Sequence, residues 1–270
     1  MNAITEAFQK IKAQKSGALI GYIMAGDPNL DTTPKIADAL IKGGVDILEL
    51  GLPFSDPIAD GPTIQAASVR ALAAKTTPVK VLEIAKQIRL SHDVPVVIMT
   101  YYNPVFKMGI GKFCTVAKNH LVDGIIIPDL PVEEAEDYKE AAAKAGLETI
   151  FLAAPSTSNE RLSKIVECSS GFLYLVSHFG VTGAKAVVED STIQFVKRVL
   201  PFTSGRVPLA VGFGVSKPDH VRRLIAAGSD GVIVGSAFVK LIQENQNDTA
   251  VMLKKLEAAA YELKAEAKRP

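Results

Sequence analysis

The chain lacks the features that mark secreted, membrane-spanning or polyelectrolyte-binding proteins. It carries two cysteines, Cys114 and Cys168, and neither sits in a CxxC pair or beside a histidine cluster. That spacing argues against a disulfide framework and leaves both as reduced core or helix residues. An excess of one charge is also missing: 30 Lys and Arg face 29 Asp and Glu. So even a balance gives no reason to expect a nucleic-acid or membrane-surface partner. No window of about twenty apolar residues occurs, so no membrane span is expected. Residues 1–15 are polar and helix-like, without the apolar stretch of a signal peptide. A cytoplasmic location follows as the expectation. His92, His120, His178 and His220 are scattered, so no metal site is expected. A serine nucleophile elbow is absent as well.

What is present is an alternation of short β-rich runs and longer helical stretches. The runs cover residues 18–24, 45–50, 94–100, 124–127, 149–152, 172–176, 207–211 and 231–234. Several are apolar throughout, as in PVVIM at 95–99 and GIII at 124–127. A strand with no polar face is buried on both sides, which is the mark of a parallel sheet covered by helices. Many runs follow a helix end with glycine or aspartate, as in Gly43-Gly44-Val45-Asp46 and Gly228-Ser229-Asp230, a weak internal repeat. Glycine there suits a helix cap in the left-handed region. Helices are expected over 32–42 and 248–268, the second capped by Asn247 or Asp248. Eight such units in 270 residues, with no GxGxxG after the first run and no linker, favour one closed barrel over an open doubly wound sheet. The expected architecture is α/β: a single (β/α)8 TIM barrel over residues 1–270 with an extra N-terminal helix.

Active sites of such barrels lie at the C-terminal strand ends. The seventh run ends in Gly212-Phe213-Gly214 and the eighth in Gly235-Ser236. Glycines at both places let backbone N–H groups approach an anion, and a helix starting at Gly235-Ser236 aims its positive end at the same point. Thr182 and Gly183, after the sixth run, form a loop able to close on ligand, with Gly183 as a further N–H donor. These glycines alone are equally compatible with tight turns and helix caps. No Lys or Arg falls inside the motifs, so phosphate binding there would rest on backbone dipoles.

Glu49 stands inside an otherwise apolar run, with Ile47 on its face and Leu48 and Leu50 on the other. Leucines facing the helices point Glu49 toward the barrel axis. A carboxylate there is costly to bury without a partner or a purpose. Asp60 lies in the loop after the same run, just before Gly61-Pro62, where it either serves the site or caps a helix. Two carboxylates in unequal surroundings suit general acid–base work. Asp27 and Asp129, also near strand ends, are placed to orient the Asp60 loop. Tyr22, Tyr101, Tyr102 and Tyr174 offer flat walls with a polar tip for an aromatic substrate.

The stretch LELGLPFSDPIADGPTIQ at 48–65 resembles the signature of the tryptophan synthase α subunit family, and the similarity extends over essentially the whole chain. Gly26-Asp27-Pro28, Tyr101-Tyr102-Asn103-Pro104, Pro128-Asp129-Leu130-Pro131 and Gly180-Val181-Thr182-Gly183 belong to it. The resemblance implies a lyase that cleaves indole-3-glycerol phosphate by retro-aldol chemistry to indole and glyceraldehyde 3-phosphate. It implies Glu49 as general acid–base and Asp60 as the acceptor of the indole N–H. Gly183, Gly212, Gly214, Gly235 and Ser236 would hold the phosphate, with Tyr22, Ile64 and Phe213 lining the indole pocket. It also implies a β subunit partner in an α2β2 assembly, with pyridoxal phosphate on that partner and no cofactor in this chain. Another sugar-phosphate barrel would need a different acid–base pair. A chain that only activates its partner would not need Glu49 and Asp60. Ser177-His178-Phe179 departs from the family pattern, and so bears on loop closure rather than on the reaction.

Overall fold

The structure is a computed structural model that describes residues 2–176, 190–212 and 214–269. Its strands are β1 (Ala18–Met24), β2 (Ile47–Gly51), β3 (Val96–Met99), β4 (Gly124–Ile126), β5 (Glu148–Ile150), β6 (Leu152–Ala153), β7 (Leu173–Val176), β8 (Leu209–Gly212) and β9 (Gly231–Val234). All neighbouring pairs are parallel, in the order β5-β4-β3-β2-β1-β9-β8-β7-β6. The two ends of that order, β5 and β6, are one run of chain separated by Phe151 alone. Phe151 accepts from the Tyr174 amide at 3.0 Å, so the ring of strands closes through it. The nine segments are therefore an eight-stranded TIM barrel whose fifth strand is broken at one residue.

The helices are α1 (Ala3–Ala13), α2 (Thr33–Lys42), α3 (Pro62–Ala73), α4 (Pro78–Ser91), α5 (Tyr102–Met108), α6 (Ile110–Asn119), α7 (Glu136–Ala145), α8 (Asn159–Cys168), α9 (Asp190–Thr203), α10 (Pro218–Ala226), α11 (Ser236–Glu244) and α12 (Thr249–Ala265). None of them is long and apolar enough to cross a membrane. Asp248 caps α12, its carboxylate accepting from the Val251 amide at 3.0 Å.

Strand parity sorts the core into two layers. Leu19, Ile23, Leu48, Leu50, Val96 and Ile98 face outward and pack under the helices. Ile20, Ile47, Val97, Ile126 and Ile233 face inward. Ile4, Phe8 and Ile11 of α1, spaced i, i+4, i+7, join the inward group and cover the N-terminal mouth. With that mouth plugged, the C-terminal strand ends are where the interior opens.

The repeated aspartate before a strand has a physical role. Asp46 donates its amide to the Leu19 carbonyl at 2.8 Å and accepts the Leu19 amide on its carboxylate at 2.7 Å. Asp123 grips Val96 in the same two ways at 2.9 Å, and Asp230 grips Leu209 at 2.7 and 3.0 Å. Each carboxylate also meets a cation: Lys264, Arg89 and Arg269 lie 2.7, 3.2 and 2.7 Å away. These clamps set strand register at the closed mouth, three times around the ring. The glycine caps follow the expected pattern at Gly44, Gly146 and Gly228, all with positive φ. The unit before β4 differs, for there Leu121 takes the left-handed turn at φ 61°. Gly124 lies inside the strand, where its missing Cβ makes room for Ile4 of the plug.

Candidate active site

β1 and β2 bring Tyr22 and Glu49 side by side, since the two are register partners. Glu49 in turn pairs with Val97 of β3, so its side chain shares the inward face with Val97, as the alternation predicts. The carboxyl is 1% exposed, and neither oxygen has a hydrogen-bond partner among the described residues. Burial, reinforced by the nearby Asp60 charge, pushes it up to about 8. At neutral pH Glu49 is therefore mostly a neutral acid, with a proton to give.

Asp60 is held on a loop that is itself well fixed. The Ser68 hydroxyl of α3 accepts from the Phe54 amide at 2.9 Å and donates to the Phe54 carbonyl at 2.8 Å. Gln65 donates to the Asp60 carbonyl at 2.8 Å. The residue at the α3 N-cap is Gly61, with no side-chain cap bond, so Asp60 does not serve as a cap. Burial raises the Asp60 carboxyl to about 6, against a hydrogen bond from Tyr101 that lowers it. The two carboxyls thus differ in ionisation near neutrality: one protonated, one charged.

Asp27 and Asp129, expected to orient this loop, bond to the neighbouring helices α3 and α5. Asp27 forms a bidentate pair with Arg70 of α3 at 2.7 and 2.8 Å. Asp129 accepts from the Tyr102 amide at 2.8 Å and holds the start of α5.

The two carboxyls open into one cleft at the C-terminal strand ends. Of the residues expected at a site, Tyr22, Ile64, Tyr174, Gly214, Gly235 and Ser236 also line it. Tyr101 does not line it, and its hydroxyl instead meets Asp60. Thr182, Gly183 and Phe213 lie outside the described residues. Met99, Val215 and Ile233 line the cleft and were not singled out from the sequence. For Met99 and Ile233 the signal was parity: Met99 is two residues from inward-facing Val97, and Ile233 pairs with inward-facing Ile20. Burial and the two carboxylates push the Tyr22 and Tyr174 hydroxyls up, so both stay protonated donors.

At the far end, Gly235 precedes α11, whose first internal hydrogen bond runs from the Val239 amide to the Gly235 carbonyl at 3.0 Å. The amides of residues 236–238 precede that bond and have no helical acceptor. No Lys or Arg lines the cleft among the described residues. Gly214 has φ 86°, a conformation that demands glycine. Gly212 is a different case: a Cβ there would come 2.5 Å from the Tyr174 hydroxyl oxygen. Gly212→Ala is therefore expected to displace the Tyr174 ring and weaken turnover roughly tenfold, in line with overpacking costs of about 1–3 kcal/mol. Combined with Tyr174→Ser, which vacates the space, it should cost less than the two single changes added together. Strict additivity in that double-mutant cycle would reject the steric account.

The chain is similar to known proteins over nearly its whole length. The family model described as "Tryptophan synthase alpha chain" matches residues 8–268. The tryptophan synthase alpha chain of Methanosarcina acetivorans is 51% identical over 97% of this chain and 93% of its own. That of Methanosarcina barkeri is 49% identical over 98% and 97%. A solved structure of Mycobacterium tuberculosis tryptophan synthase superposes with a TM-score of 0.90 at 36% identity, covering 99% of this chain and 98% of that one. A chain from a structure of the Pyrococcus furiosus tryptophan synthase α2β2 complex superposes with a TM-score of 0.86 at 42% identity, covering 92% of this chain and 98% of that one.

Proposed function

The chain belongs to the tryptophan synthase alpha chain family, and on that premise we propose that its cleft cleaves indole-3-glycerol phosphate with Glu49 as the acid–base and Asp60 as the charge stabiliser. It is an alpha subunit of tryptophan biosynthesis and a lyase component of tryptophan synthase. The observation that carries the residue assignment is that two buried carboxyls, Glu49 and Asp60, line one cleft at the C-terminal strand ends.

Glu49 gives its proton to C3 of the indole, and the ring becomes an indolenine cation. Asp60 accepts the ring N–H and offsets the developing charge, which is stabilisation specific to the transition state. The Glu49 carboxylate then takes the proton of the hydroxyl next to C3. A carbonyl forms on that carbon, the C–C bond breaks, and its electron pair returns to the ring. Indole and glyceraldehyde 3-phosphate leave, and Glu49 ends protonated as it began. Tyr22, Ile64, Met99 and Tyr174 supply apolar walls for the ring. The amides at the start of α11, which have no helical acceptor, with Gly212, Gly214, Ser236 and Gly183, are the proposed phosphate cradle, and Phe213 is proposed as a further wall.

Membership implies a β subunit partner, and pyridoxal phosphate is carried by that subunit. An α2β2 assembly in the cytoplasm is proposed on the model of the Pyrococcus furiosus complex. Ile58 and Phe106, 78% and 65% exposed beside the Asp60 loop and on α5, suit a docking face. Residues 1–270 are taken as one domain. The Gly17 amide bonding the Ala267 carbonyl at 2.6 Å, which ties the two chain ends together, supports this.

A pH prediction follows from the two carboxyls. Asp60 must be ionised and Glu49 protonated, so kcat/KM should rise through about 6 and fall above about 8. The apparent values belong to the pair. A flat profile between pH 5 and 9 would rule out this division of labour.

A further inference from the structure

We propose that Tyr101 is a positioning residue: its hydroxyl accepts from the Ala59 amide at 3.0 Å, directly beside the Asp60 carboxyl, so that one group fixes the loop backbone and the setting of the Asp60 side chain. A tyrosine hydroxyl has a single proton to donate. With the Ala59 N–H already donating to the oxygen, that proton goes to Asp60. The ring is itself immobilised, stacked on Phe54 with centroids 5.3 Å apart and planes at 28°. Phe54 is held in turn by both of its backbone bonds to Ser68. From the other side, Asp129 pins the Tyr102 amide, so the backbone next to Tyr101 is anchored too. Tyr101 thus connects the end of β3 to the loop that follows β2, through the Ala59 amide next to the group that must stay ionised.

This role rests on the lyase reading but differs from a wall residue's, since Tyr101 is outside the lining of the cleft. The hydroxyl opposes the burial that raises Asp60. Without it, Asp60 needs a higher pH to ionise, and the Ala59 amide loses its acceptor.

Tyr101→Phe keeps the stack on Phe54 and removes only the hydroxyl. The kcat/KM profile should keep its alkaline limb, while the acid limb moves about one unit upward. At neutral pH kcat should fall roughly tenfold with little change in KM, because the loss falls on the transition-state charge. In an Asp60→Asn background the same change should cost less than threefold, since the carboxylate it orients is gone. An unmoved acid limb with unchanged kcat would overturn the inference and leave the lyase reading standing. Equal losses in both backgrounds would also overturn it, by showing a purely structural role. Absence of indole release by the wild-type chain with its β subunit would instead sink the lyase reading. If Tyr101→Phe fails to fold, Tyr101→His, a ring with a donor, replaces it in the cycle. Equal losses in the two backgrounds would again overturn the role.

Discussion

Glu49→Gln is expected to lower turnover of indole-3-glycerol phosphate by roughly 10²- to 10⁴-fold, the range for loss of a general acid–base. KM should change little, because glutamine keeps the shape of the side chain and the phosphate end is untouched. Binding can be followed directly, since the chain contains no tryptophan and the indole of the ligand is the only such fluorophore. The variant should also fold at least as well as the parent. Both Glu49 oxygens lack a partner and the folded-state value is about 8, against 4.5 for the free group. A carboxyl raised on folding contributes no penalty below 4.5, where it is protonated in both states. The penalty grows as pH rises and is full above about 8. The stability of Glu49→Gln relative to the parent should therefore improve across that window. Near-normal turnover would reject Glu49 as the proton carrier, and a stability difference independent of pH would reject its buried neutral state.

Asp60→Asn is the second large effect. Loss of a preorganised group facing transition-state charge costs about 10²–10³ in kcat. A second signature separates it from simple damage. The Asp60 charge is the second cause of the raised Glu49 value, after burial. Removing it should bring the alkaline limb of the profile below about 8 and erase the acid limb near 6. Retention of the acid limb in Asp60→Asn would assign that ionisation to another group.

Much of the barrel was legible because its strands leave both faces apolar, which few other arrangements permit. Limits of single strands were less so. Glu148–Ile150 and Leu152–Ala153 read as one run, since nothing in the side chain of Phe151 announces a break in pairing. The recurring aspartate was visible as a pattern, yet its two-way grip on the neighbouring strand depends on which strands lie adjacent. Glu49 was found by contrast, as a charge in an apolar run. Met99 and Ile233 offered no contrast, and only strand parity placed them in the cleft. Tyr101 was visible as an aromatic at a strand end, but its partner Asp60 lies 41 positions earlier in the chain. Only the closure of β2 beside β3 brings the two into contact. Gly212 shows the reverse limit: a motif suited to phosphate also leaves room for a tyrosine ring.

The most direct measurement is release of indole and glyceraldehyde 3-phosphate from indole-3-glycerol phosphate by the purified chain, with and without a tryptophan synthase β subunit. Equimolar formation of the two products, strongest with the β subunit present and lost in Glu49→Gln, is the predicted result. A well-folded chain that binds the substrate yet releases no indole under either condition would contradict the assignment of the cleft as a retro-aldol lyase site.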